Sequence, residues 1–225
     1  MNTKEILIEL KQNENSKNKI GMARFGINTD KAFGISVKFL RALGKEIGKN
    51  HKMALELWES GYHEARILAT IIDEPEKTSK TQLNNWLKDV NSWDLCDQLC
   101  NNLIVKTVYA YDLAFQWSKS KSEFTKRAGF TLFAVISVHW KHLSDNDFIR
   151  IFPRIIEEAD DNRNFVKKAV NWALRQIGKR NSNLNKLAVE VAQKLISMES
   201  KSAKWIGRDA FDELTSDKVY IRHKK

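Results

Sequence analysis

Proline and glycine are scarce: two and nine in a chain of 225 residues. Both punctuate the tight turns of β-rich folds, so their rarity argues against an all-β architecture and for long helices. Cysteine is scarcer relative to need. Cys96 and Cys100 are the only two, one helical turn apart, and they supply no disulfide framework. No nearby cysteine or histidine pair completes a metal site, so neither metal nor organic cofactor is expected, and a reducing cytoplasm is the expected compartment. No apolar run reaches the length of a transmembrane helix, and MNTKEILIELKQNENSKNK lacks the apolar core of a signal peptide. A P-loop, a dinucleotide fingerprint and a nucleophile elbow are all missing.

What is present is globular and basic. Hydrophobic residues make up 42% and charged ones 29%, with a net charge of +10 and a pI near 9.5. That composition buries a core rather than staying disordered. The positive surplus favours polyanionic partners such as nucleic acid, although a generally solvated basic surface gives the same sum.

Nearly every segment has helical periodicity. Leu83, Trp86, Leu87 and Val90 share one face, as do Phe148, Ile151, Phe152, Ile155 and Ile156, with Pro153 a local kink. Leu184, Leu187, Val191, Leu195 and Met198 form a third stripe. Ser79 and Ser144 are positioned as caps. Polar breaks fall at GKNHK, DEPEKTSK, SKSKSE, LSDND, EADDNRN, GKRNSN and SMESKSAK, short enough for neighbouring helices to pair as antiparallel hairpins. The expected fold class is all-α, a single domain over 1–225 ending in a basic tail at 216–225.

Five helices open on an aromatic: Tyr62, Trp93, Phe124, Phe165 and Trp205, separated by 31, 31, 41 and 40 residues. Periods of this size, each holding two helices, predict a right-handed superhelical solenoid of HEAT-like hairpins. Arg66, Arg127, Lys168 and Arg208 lie three or four residues beyond those aromatics, on one helical face. They predict a concave basic groove able to follow a phosphate backbone. Each could instead bridge neighbouring helices. His139 and His142, three apart, have no acidic or cysteine companion and read as surface residues.

In SWDLCD, Trp93 and Asp97 sit four apart and so share a helical face, an aromatic plane beside a carboxylate that a core would not tolerate. Together with KRAGF and KKAVNWALR, this stretch resembles the AlkD-like DNA alkylation repair proteins, HEAT-repeat DNA glycosylases, over most of the chain from GMARFGINTDKAFGIS onward. The resemblance implies that Trp93, Asp97 and Trp172 are the catalytic-site residues and that Arg127 contacts the lesion-strand phosphate. It also implies attack on the lesion without flipping the base into a deep pocket. Asn28 stands after a Gly-Ile pair where a glutamine is more usual, a further DNA-contact candidate.

The chemistry is consistent with those residue types. An N3- or N7-alkylated purine is cationic and leaves readily, and breaking its glycosidic bond builds an oxocarbenium-like sugar. A fixed carboxylate stabilises that charge, aromatic faces attract it, and arginine fixes the strand. The expected activity is therefore a monofunctional DNA-alkylpurine glycosylase, working as a monomer on alkylated double-stranded DNA. Other readings of single residues stand beside it. Trp93 and Trp172 could be packing residues, Asp97 could pair with Arg66 or Arg127, and Arg175 could face a phosphate or a neighbouring carboxylate. The alternatives for the whole chain are a non-catalytic member of the same family that recognises damaged or branched DNA, and a scaffold for an acidic protein.

Overall fold

The computed structural model describes residues 1–219, so the end of the basic tail, from 220 onward, lies outside the described residues. Those residues form α-helices joined by short connections, with no strand among them. Their contacts divide the chain into two compact units, Met1–Tyr109 and Ala110–Lys225.

The first unit contains α1 (Thr3–Gln12), α2 (Ser16–Arg24), α3 (Val37–Ile47), α4 (His51–Glu59), α5 (His63–Ile72), α6 (Lys80–Asp89) and α7 (Trp93–Asn102), then a 3₁₀ turn at Ile104–Lys106. Helix starts are set by side chains that accept the orphaned first-turn N–H groups: Asn2, Asn15, Ser36, Asn50 and Ser79 all do so. α5 is the central element, buried on nearly every side and packed on α1, α3, α4 and α7. Trp58 of α4 and Trp86 of α6 stack with ring centroids 4.1 Å apart and planes 1° from parallel, and the Arg66 guanidinium lies 5.3 Å over Trp58. The indole N–H of Trp58 donates to Asp89 at 2.9 Å, which satisfies the polar edge of a fully buried ring.

Glu64 holds the long connection before α3. Its carboxylate is fully buried yet accepts from the backbone N–H of Phe33, Gly34 and Ile35 at 2.8, 2.6 and 3.2 Å, so the charge is solvated by the chain itself. Gly34 has φ +76°, and a Cβ there would lie 2.3 Å from the Asn15 carbonyl oxygen. Both conformation and space demand glycine.

The second unit contains α8 (Ala110–Trp117), α9 (Glu123–His139), α10 (Asp145–Ile149), α11 (Phe152–Glu157), α12 (Asn164–Gly178), α13 (Ser182–Ser197) and α14 (Lys201–Leu214). α9 and α12 pack along their lengths, and α14 closes on α12 and α13. α8 meets α9 at Gly129, where an added Cβ would lie 2.3 Å from the Ser118 nitrogen. An ionic knot joins α9 to α11: Lys126 reaches Glu158 at 2.5 Å and Asp161 at 3.0 Å, and Arg163 holds Asp161 at 2.5 Å.

Each of the seven polar breaks overlaps a gap between helices and runs into the start of the helix that follows, and Ser79 and Ser144 stand at N-caps. Three expectations are corrected. Pro153 does not kink a helix; it begins one, at the first turn of α11, and α10 ends before it, because a proline there lacks only an N–H that would have no partner. The buried stripe of α13 is Leu184, Ala188, Ala192 and Leu195, with Leu187, Val191 and Met198 half-buried at its sides; small alanines let α14 approach. Trp205 is the fifth residue of α14 rather than its opening aromatic, so Arg208 lies one turn later than its supposed counterpart Lys168.

Candidate functional site

α7 divides its residues cleanly. Leu95, Cys96, Leu99 and Cys100 are buried, while Trp93, Asp94, Asp97 and Gln98 line a cleft of about 880 Å³. The spacing of four that puts Trp93 and Asp97 together is therefore a spacing on the open face. Asp97 is half-buried and borders the cleft, which lowers the burial cost a core position would impose.

The other walls are α5, through His63 and Ile67, and α2 with the connection that follows it, through Lys17, Met22, Arg24, Phe25 and Ile27. Trp93 is held in place from this side, since its indole N–H donates to the Phe25 carbonyl at 3.0 Å. Phe25 itself is 70% exposed and Ile20, on α2, is 60% exposed, so the rim carries open apolar surface beside Lys17 and Arg24. His63 sits at the inner wall, almost fully buried, with Nε2 2.9 Å from Asp94 Oδ2. Burial works against ionisation of Asp94, but the hydrogen bond and charge of His63, together with Ser92 and the Leu95 backbone N–H, outweigh it and hold the carboxyl below the usual carboxylate range.

Asn28 does not line this cleft. It is exposed, accepts from the Asp30 N–H at 2.9 Å in a local turn, and borders a separate polar cavity of about 320 Å³ with Arg66 and Asn91. The sequence contains two Phe-Gly-Ile runs, at 25–27 and 33–35. The residue after the second, Ser36, is the one that lines the cleft with Asp97.

The proposed basic stripe is not uniform. Arg66 is engaged: it donates to the Trp58 and Asp89 carbonyls at 3.3 and 3.1 Å and faces the Asp89 carboxylate at 3.7 Å. Its guanidinium joins α4, α5 and α6 instead of standing open. In the second unit Arg127 is 5% exposed and donates to the Phe165 carbonyl at 2.6 Å, tying α9 to α12. Arg175 is paired with Glu213 and lies 3.6 Å from Asp209. Lys168 and Arg208 are exposed, and Trp172 is half-buried on α12. Among the described residues no group of three or more histidine, cysteine, aspartate or glutamate side chains is arranged to hold a metal ion, and no helix is long and apolar enough to cross a membrane.

Paired helices, buried aromatic stacks and repeating helix starts define the class as an all-α protein with a HEAT-like repeat fold. A solved structure described as "a new family of proteins related to the HEAT-like repeat DNA glycosylases with affinity for branched DNA structures" is similar to it at TM-score 0.80 and 20% identity, over 93% of this chain and 94% of that one. The DNA alkylation repair enzyme family matches residues 6–214, and the chain belongs to that family. No curated protein matches it.

Proposed function

We propose that the protein is a DNA glycosylase that hydrolyses the N-glycosidic bond of cationic N3- and N7-alkylpurines in duplex DNA, as a cytoplasmic monomer. The observation that carries the reading is the shared orientation of Trp93 and Asp97 into one open cleft of a chain in an alkylation repair family. As the C1′–N bond breaks, the purine leaves with the bonding electrons and becomes neutral, and the sugar takes up the positive charge. Asp97 opposes that charge and orients a water whose oxygen bonds to C1′ and whose proton is released. The Trp93 face attracts the cationic sugar and limits access of bulk water.

Trp172 and Arg127 belong to the second unit, and the sequence resemblance, rather than a distance, assigns them to the same chemistry. With Arg127 largely enclosed, its phosphate contact would be made by whatever of the guanidinium reaches the surface. Lys168 and Arg208 are the more open cations and carry the general attraction to the backbone in this reading. Arg66, Arg175 and Asn28 enter it only as supports of the surrounding structure.

The experiment is release of free methylated base from duplex treated with a methylating agent, corrected for spontaneous depurination. Release above background supports the glycosylase. Binding without release would favour the second reading, a non-excising DNA-binding protein; the affinity for branched DNA described for the structural neighbour's family is what keeps that reading open.

A further inference from the structure

α14 turns Ser202, Ala203, Ile206, Gly207 and Ala210 inward, yet its opposite face carries a tryptophan. Trp205 is 39% exposed, so part of its ring meets solvent on a packed helix. The Lys167 ammonium, from α12, lies over that ring, 4.8 Å from its centroid. Trp205 also walls a surface concavity of about 450 Å³, together with Lys201, Lys204, Arg208, Asp209 and Asp212. Lys201, Lys204, Trp205 and Arg208 follow the i, i+3, i+4, i+7 spacing of a single helical face. Two carboxylates share the concavity with three cations, Lys201, Lys204 and Arg208, and Asp209 faces Arg175 at 3.6 Å, so the cations outweigh them.

We propose that this face is a single-stranded DNA platform, on which an unpaired base stacks against Trp205 while neighbouring phosphates meet Lys201, Lys204 and Arg208. An aromatic ring set among cations suits a single strand better than a duplex, whose bases are already stacked and hidden from a flat surface. An acidic peptide would satisfy the charges but would leave the indole without a planar partner. The proposal rests on the nucleic-acid part of the preceding reading and is independent of base excision.

The test is fluorescence anisotropy with two labelled probes, an oligothymidine of about 12 nucleotides and a plain duplex, at several salt concentrations. Trp205→Ala weakens oligothymidine binding about tenfold and duplex binding by less than about twofold, the loss expected for one stacked base. Trp205→Phe, which keeps a ring and guards against misfolding, restores most of the single-strand affinity. Equal loss on both probes, or no loss on either, overturns the platform. If wild type binds duplex but Trp205→Ala matches it on oligothymidine, the platform alone falls. If wild type binds neither probe, the nucleic-acid reading falls with it.

Discussion

His63 Nε2 lies 2.9 Å from Asp94 Oδ2, so the first residue of α5 is bonded to the second residue of α7. The bond joins two walls of the cleft, and with the buried Leu95, Cys96, Leu99 and Cys100 it holds α7 in the rotation that turns Trp93 and Asp97 toward the cleft.

Replacing it tests this. His63→Ala leaves a partly buried carboxylate without its partner and costs about 2 kcal/mol at neutral pH, or roughly 4–8 °C in Tm for a chain of this size. The folded-state carboxyl of Asp94 titrates below its ordinary value of 3.8, so its stabilisation is present above that value and lost as pH falls through the folded one. Below pH 3.8 the gap in Tm between wild type and His63→Ala therefore narrows as pH falls. A gap that keeps widening through that range contradicts the assignment.

The ionic knot of the second unit makes a parallel prediction. The paired Arg163 guanidinium, with Lys126, holds the Asp161 carboxyl down to about 2. Part of that shift is screened by solvent, so Asp161→Asn is expected to destabilise by about 1 kcal/mol at pH 7. Thermal unfolding followed from pH 6 to pH 2 (about four units, spanning the shift) should show the difference fading as the carboxylate is protonated.

Gly129 marks the closest approach of α8 and α9, and its obstacle is backbone rather than a movable side-chain end. Gly129→Ala gains helix propensity but forces the two helices apart, for a net loss of about 1–3 kcal/mol. Urea unfolding reads it directly, and a stabilised variant would show that the helices separate freely.

Lys168 and Arg66 share the basic helical face that the repeat predicts, yet one is exposed and the other is engaged with Trp58 and Asp89. Lys168→Gln is expected to lower the salt dependence of DNA binding by about one ion and to change stability by less than about 0.5 kcal/mol. Arg66→Ala reverses the pattern, losing about 1–3 kcal/mol of stability through its carbonyl and Asp89 partners and leaving the salt slope unchanged. Salt titrations paired with thermal melts separate the two.

That contrast shows what the sequence made legible. Helices, caps and polar breaks rest on spacing within a few residues, so Ser79, Ser144 and the open face of Trp93 and Asp97 could be read directly. Arg66 could not, because Asp89 lies 23 residues away and becomes a partner only once α6 folds back on α5. Arg127 likewise depends on Phe165, 38 residues on. Trp205 was misplaced by one turn because an aromatic near a helix start and one inside the helix look alike until the cap at Ser200 is recognised. His63 gave no signal at all, since a lone histidine after a tyrosine has no local pattern to mark the carboxylate it will meet.

The most direct measurement compares base release by wild type and Asp97→Asn on the same methylated duplex, at protein concentrations that saturate binding of both. The account predicts that wild type releases free alkylpurine and that Asp97→Asn binds comparably while releasing at least ~100-fold less, the scale of losing one transition-state electrostatic partner. Undiminished release from Asp97→Asn would contradict the assignment of that carboxylate to the reacting sugar.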